Sequence, residues 1–377
     1  MAASAAPETT EQLWLGSTPR CADSVETLWQ PDGKPLLAVS GYELNKETNV
    51  REGAVEAYTL ADDGSLTLLA GRQDVAGVLD AKWAPFRAED GAPVLGTANA
   101  DGTFALLKLA GGDHPEWRDH ASICLGDPDD PPIVLSLAWT GDGTSARAAA
   151  SRRDGLVSIV ARGEGGELED QDSWLAHSYG PGVGAEAWIV GLGPHEGGVV
   201  AWTGGDDCKL KGWDVREAAA GPGPRRRRPT FTAELDAGVC SCQWHPSRPE
   251  LVATGGYDGM LRVWDRRMIP ASASGDDSLS AAETGGGVWR VKWRPDGGAA
   301  VLTASMRGGA HVFGWDGAAL SPRHSTLAHG AESLTYGADW ALLGGARDTA
   351  VTCSFYNREL RSWSCAREDG GAAAGKE

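Results

Sequence analysis

Along most of the chain, short runs of alternating apolar and polar residues are cut by turns rich in Gly, Asp and Pro. That is the pattern of strands rather than helices. No stretch carries the apolar spacing of an amphipathic helix. One motif recurs: apolar residues, a polar one, an aromatic, then often Pro. It reads SVETLWQP to Trp29, VLDAKWAP to Trp83, LSLAW to Trp139, VCSCQWHP to Trp244, VWRVKWRP to Trp293 and TYGADW to Trp340. A seventh copy, EAWIVGLGP, has Leu192 at the aromatic position and Pro194 in register with Pro246 and Pro295. A second apolar stretch, a polar turn and a third stretch follow each anchor. The clearest copies are VVAWTGGDDCKLKGWD (199–214) and LVATGGYDGMLRVWD (251–265), with Trp213, Trp264, Trp315 and Trp363 at a second repeated position.

Repeats of about 50 residues with G-G-x-D turns and a Trp-Asp dipeptide are the signature of a four-stranded propeller blade. Trp213-Asp214 and Trp264-Asp265 match it literally. Seven anchors predict an all-β, seven-bladed WD-repeat β-propeller. Its last blade lacks an outer strand, which EQLWLG (11–16) at the N-terminus can supply, joining the chain ends and removing a sheet edge. The expected layout is an unstructured 1–9, one propeller over 10–365 and a disordered tail over 366–377. GPGPRRRRP (221–229) and ASASGDDSLSAAETGGG (271–287) read as connectors. The Arg225–Arg228 run is either a solvated loop, the favoured reading, or a nuclear-import or anion patch.

Composition narrows the function classes. The chain has 377 residues, 34 Lys and Arg against 52 Asp and Glu, and a net charge of −18, which disfavours nucleic acid as a partner. No apolar run approaches a membrane span and the N-terminal residues lack a secretory pattern. Seven cysteines without framework spacing suit a reducing compartment, so a cytoplasmic location is expected, and a monomer. Trp, at 16 against 5 Phe, carries much of the aromatic load. There is no nucleophile elbow, no phosphate-binding loop and no dinucleotide fingerprint, and the His residues lack metal-ligand spacing. Cys240 and Cys242, two apart on a predicted strand, are half a zinc site at best and read as packing residues. No cofactor or metal is expected.

In a propeller, the loops entering the innermost strands and the turns between the next two strands gather at one end of the channel. Repeat alignment places there a first ring of Glu26, Asp80, Ser136, Ile189, Ser241, Arg290 and Gly337. A second ring holds Tyr42, Ala100, Arg153, Asp206, Tyr257, Gly308 and Tyr356. Trp289 lies beside Arg290, and Trp188 holds the matching place in blade four. Such a mouth suits a carboxylate held by Arg290, a cation held by aromatic and acidic groups, or a protein-binding rim. His177 falls where WD repeats carry a structural His, with Thr203, Asp207 and Trp213 as its expected partners.

ADSVE (22–26), SWLAH (173–177) and GVCS (238–241) match a known pattern, and EAWI (186–189), GGVWR (286–290), YGADW (336–340) and TCSFY (352–356) go beyond generic repeat text. In these the chain resembles the WD-repeat proteins of diphthamide biosynthesis, the diphthine methyltransferases, called diphthine methylesterases by their reaction. GPGVG (180–184) is an insertion relative to that pattern. The resemblance implies a hydrolase that removes the methyl ester from methylated diphthine, a modified histidine of translation elongation factor 2, with that factor as partner and water as co-substrate. That substrate carries a trimethylammonium group, for which Tyr42, Trp188, Tyr257, Trp289 and Tyr356 of the predicted mouth are the candidates. From their place in the predicted mouth, Arg290 is the candidate to hold either the product carboxylate or the oxyanion, Asp206, Glu26, Asp80 and His177 are the available bases to activate water or a serine, and Ser241 is an available nucleophile. The alternative is a non-catalytic WD-repeat adaptor that binds a protein partner.

Overall fold

The computed structural model describes residues 10–112, 114–163, 165–195, 198–216, 227–330 and 332–367. The expected N-terminal 1–9 and the tail from 368 onward lie outside the described residues, as do Arg225 and Arg226. Seven antiparallel sheets follow one another along the chain. Their innermost strands are Cys21–Trp29, Val78–Arg87, Val134–Thr140, Ile189–His195, Val239–Trp244, Arg290–Trp293 and Thr335–Trp340. Glu11–Ser17 pairs antiparallel with Glu359–Ala366 as the outer strand of blade seven, the expected closure. Among the described residues the only helical turns are two short 3-10 segments, Gly143–Ser145 and Gly275–Asp277.

Each sheet is covered on both faces by its neighbours, so the core is a ring of interblade layers rather than one centre. Phe104, Leu106, Leu137 and Val160 fill the layer between blades two and three. Ile189, Trp202, Leu210, Val252 and Trp264 fill the layer between blades four and five. Trp indoles also tie adjacent inner strands together. Trp83 donates its N–H to the Glu26 carbonyl at 3.0 Å, Trp139 to Lys82 at 3.3 Å, Trp293 to Gln243 at 3.2 Å and Trp340 to Lys292 at 2.9 Å.

These bonds correct the register of blade one. The acceptor sits one residue before the preceding blade's anchor, so the anchor of blade one is Thr27 and not Trp29. The ladder agrees, because Ser24 pairs with Ser40 after a bulge at Asp23, as Ser241 pairs with Gly255 after a bulge at Cys240. The connector over 271–287 is also more structured than expected. Ser272–Ser274 adds a parallel fifth strand to blade four, and Ser280–Glu283 is the outer strand of blade five.

Candidate functional site

The mouth is built by a repeated device. In blades one, two, three, five and seven the inner strand carries a one-residue bulge near its start, at Asp23, Leu79, Leu135, Cys240 and Tyr336. Trp188 and Trp289 occupy the equivalent places in blades four and six, one residue before the first ladder pair. Bulges re-aim a side chain and commonly sit at functional rims.

A second circle is marked by one backbone bond per blade. Ala100, Arg153, Asp206, Tyr257 and Phe355 each donate their N–H to a carbonyl near the start of their own blade's inner strand, and Met306, at the matching place in blade six, donates instead to Thr335 at the start of the blade-seven inner strand. Tyr42 holds the place in blade one, opposite Cys21. Two expectations shift here. Met306 replaces Gly308, and Phe355 replaces Tyr356, which lies one step outward, 62% exposed and packed on Phe355.

Aromatic rings from both circles form a belt from blade four to blade one. Trp188 and Trp289 have centroids 5.8 Å apart, Tyr257 lies 6.2 Å from the first and 6.3 Å from the second, and Tyr336 stacks on Trp289 at 4.8 Å. Phe355 continues the belt at 5.2 Å from Tyr336 and 5.3 Å from Tyr42. Of the expected binding residues, Tyr42, Trp188, Tyr257 and Trp289 are brought together, and Tyr356 is at the outer edge.

Beneath the belt lies a buried charge network. Arg290 Nη2 is 3.1 Å from Asp80 and 3.5 Å from Asp23, and its guanidinium is 5.9 Å from the Trp289 ring. Arg290 Nε is buried and has no acceptor from the protein. The two carboxylates beside Arg290 differ. Burial pushes Asp80 up, but Arg290, Lys82 and the Leu137 N–H outweigh it and hold Asp80 below the usual carboxylate range. Burial pushes Asp23 up to about 6, against the pull of Arg290 and of the Trp289 N–H at 3.0 Å. Divergent environments for two nearby carboxyls are a recurring arrangement of acid–base sites.

One tier deeper, Lys82 reaches Glu26 at 2.7 Å and Asp80 at 2.8 Å, and Lys292 reaches Glu26 at 2.7 Å and Asp339 at 3.3 Å. Burial lowers Lys292, but Asp339 and Glu26 overcome it and raise its pKa, so it stays charged.

Several expected catalytic residues are thereby committed elsewhere. Glu26 belongs to the deeper tier, because the true anchor is Thr27, and both its oxygens receive lysines. Asp80 holds Arg290 and Lys82 in place. Ser241 Oγ accepts the Val291 N–H at 2.9 Å and joins blade five to blade six. His177 is fully buried with both ring nitrogens occupied, Nδ1 by Asp207 at 2.7 Å and Nε2 by Thr203 at 2.8 Å, while Trp213 also donates to Thr203. Burial lowers its pKa and keeps it neutral. It is a structural histidine, as its spacing predicts. Asp206 and Arg290 remain at the mouth. Asp206 accepts the Trp188 indole N–H at 3.0 Å and the Tyr179 hydroxyl.

Asp23, Tyr336 and Phe355 were not expected. Ser24 gives the missing signal: setting it in register with Ser136 and Ser241 puts Asp23 at the bulge. Cys240 and Cys242 are parted by that bulge, the first beside Tyr257 and the second in the blade four–five layer. Among the described residues no group of three or more His, Cys, Asp or Glu could hold a metal, and no helix is long and apolar enough to cross a membrane. Arg227 is no solvated residue, since it pairs with Asp172 and caps the Asp214 carbonyl at 2.6 Å. A groove of about 580 Å³ between blades two and three, lined by Lys108, His120, Arg162 and Glu167, opens away from the mouth.

Comparison with known proteins agrees with this architecture. Residues 226–265 match the WD domain, G-beta repeat family. A chain of a mitotic checkpoint complex crystal structure superposes with a TM-score of 0.65 at 16% identity, covering 97% of both chains, which speaks for the fold alone. Mouse diphthine methyltransferase is 32% identical over 366 residues, 90% of this chain and 71% of the relative. A Dictyostelium discoideum diphthine methyltransferase homolog is 30% identical over 306 residues, 76% of each. At that identity and coverage, the chain belongs to the diphthine methyltransferase family of WD-repeat propellers.

Proposed function

We propose that this protein acts in diphthamide biosynthesis as a carboxylic ester hydrolase, removing the methyl ester of methylated diphthine on translation elongation factor 2. The observation that carries the reading is the pairing at the channel floor: Arg290, with a buried Nε–H that no protein atom accepts, beside Asp23, a carboxyl poised near neutrality. Asp23 takes a proton from water as the water oxygen attacks the ester carbonyl. Charge gathers on the carbonyl oxygen, where the Arg290 guanidinium offers a fixed donor in a site shielded from solvent. Collapse breaks the bond between the acyl carbon and the methoxy oxygen. The proton on Asp23 passes to the leaving methoxide to give methanol, and the freed carboxylic acid gives up its remaining proton to water and departs as a carboxylate. Asp80 and Lys82 position Arg290 and touch no reacting atom.

The test is methanol release from elongation factor 2 carrying methylated diphthine. Asp23→Asn lowers kcat by about 10²- to 10⁴-fold if Asp23 is the base. Arg290→Met lowers it by about 10²- to 10³-fold if the guanidinium meets the oxyanion. Full turnover in either variant removes that residue from the mechanism. The alternative, a non-catalytic adaptor, requires binding of the factor with no methanol released by the wild-type chain.

A further inference from the structure

The groove between blades two and three breaks a packing rule that the seam before it keeps. The outer strands of blades one, two and three each carry a one-residue bulge, at Leu69, His120 and Gln171. Counted from these bulges, Leu109 and Trp117 of blade two match Arg162 and Leu168 of blade three. Between blades one and two, Leu69, Leu109 and Trp117 all join one apolar layer. Between blades two and three the same three places hold His120, Arg162 and Leu168, and a groove of about 580 Å³ opens there instead of a filled seam. A bulge re-aims its extra side chain, and departures from a fold's own packing rule concentrate at functional places.

The side chains that replace the apolar ones are N–H donors. Among the described residues neither His120 nor Arg162 makes a hydrogen bond or an ion pair; the Arg162 guanidinium lies 5.3 Å from the Phe86 ring centroid, a contact that leaves its N–H groups unused. Lys108, from the third strand of blade two, lines the same groove and is held by Asp90 at 2.7 Å. His120 feels both cations. After burial, Arg162 and then Lys108 lower its pKa, against smaller opposite pulls from Asp90 and Glu89. The field at this ring is therefore positive, in a chain whose net charge is −18.

Donors from three strands suit the three terminal oxygens of a phosphate monoester better than the two of a carboxylate, and a dianion interacts with clustered cations more strongly than a single charge does. Glu89 and Glu167 stand on the groove walls, where they repel an extended polyanion more than one phosphoryl group. We propose that this groove binds a single phosphate monoester, with Arg162 and His120 as its principal donors and Lys108 as the third. The assignment concerns a place away from the mouth and stands whether or not the hydrolase reading does.

Calorimetric titration of the full chain near neutral pH tests this with inorganic phosphate, glycerol 3-phosphate, a blocked phosphoserine tripeptide with its unphosphorylated twin, and acetate at matched ionic strength. The three phosphate probes bind. Acetate and the unphosphorylated peptide bind about tenfold or more weakly, the scale of one charge-assisted hydrogen bond. A phosphopeptide tighter than glycerol 3-phosphate assigns the groove to a phosphorylated side chain of a protein, and the opposite order assigns it to a free small phosphate. His120→Leu and Arg162→Leu, which install the residues of Leu69 and Leu109 at the matching places, each weaken every phosphate probe by about tenfold or more. A measurement on the wild-type chain covers the case in which a variant misfolds: in nuclear magnetic resonance spectra the His120 ring signals move on phosphate addition, while those of the fully buried His177 stay. Phosphate binding no tighter than acetate overturns the proposal, as does unchanged binding in both variants or an unmoved His120 ring.

Discussion

Replacing Trp289 by Phe isolates one bond in the proposed mechanism. Phe keeps an aromatic ring to stack on Tyr336 but loses the N–H donated to Asp23 Oδ1 at 3.0 Å. That bond favours the ionised carboxylate, and it is one of the forces holding Asp23 near 6 against burial, with Arg290 the larger. A hydrogen bond to a charged group is worth about 1.5–3 kcal/mol, and one pH unit corresponds to about 1.4 kcal/mol. Losing the bond therefore lifts the Asp23 midpoint by about one to two units. The base works only when ionised, so kcat/KM rises through a midpoint near 6 in the wild type and through one between about 7 and 8 in Trp289→Phe. The assay is the kcat/KM profile for methanol release across neutrality, corrected for spontaneous ester hydrolysis. An unmoved midpoint with a lower plateau refutes the reasoning, because Trp289 would then serve packing or binding alone. A downward shift refutes its sign.

Four further outcomes are expected. Asp23→Asn stabilises the fold at pH 8 by about 1–3 kcal/mol, because a carboxyl raised on folding favours the protonated native state; the gain shrinks as pH falls below about 6, as thermal melts at several pH values read out. His177→Ala lowers stability by about 2–3 kcal/mol by stranding Thr203 and Asp207, while kcat of the folded fraction at permissive temperature stays within twofold. Cys208 sits at a φ of 60° where the matching turns carry Gly102, Gly155 and Gly259, so Cys208→Gly raises stability by about 1 kcal/mol in denaturant titration. Deleting Glu11–Ser17 exposes the edge of Glu359–Ala366, and light scattering then reports association that the full chain lacks.

The architecture was legible because a propeller writes itself in a fixed period. Trp83, Trp139, Trp293 and Trp340 recur for one physical reason, a bulky ring between blades whose N–H ties down the preceding strand. Closure by residues near 11–16 followed from counting strands in the last blade. The site was read less well where a local signal competed with the repeat. Trp29 looked like an anchor, but at 37% exposure it is a surface residue, and the two-residue slip hid Asp23 and misplaced Glu26. The bulges themselves leave little mark in the sequence, because the extra residue is Asp, Leu, Cys or Tyr according to what each blade contributes. Lys82, Lys292 and Asp339 escaped notice because their pairing crosses blades: Lys292 and Glu26 are 266 positions apart. The structural role of His177 was legible because its partners recur at fixed distances along one repeat.

The central claim is that water, acting at the acyl carbon, removes the methyl group of methylated diphthine. The most direct test is a mass spectrum of the modified histidine peptide after elongation factor 2 is incubated with catalytic amounts of the protein in heavy-oxygen water. The expected result is loss of one methyl group and gain of one heavy oxygen in the freed carboxylate. Loss of the methyl without the heavy oxygen would contradict it by placing the attack on the methyl carbon, and an unchanged peptide with the factor bound would leave the protein as an adaptor.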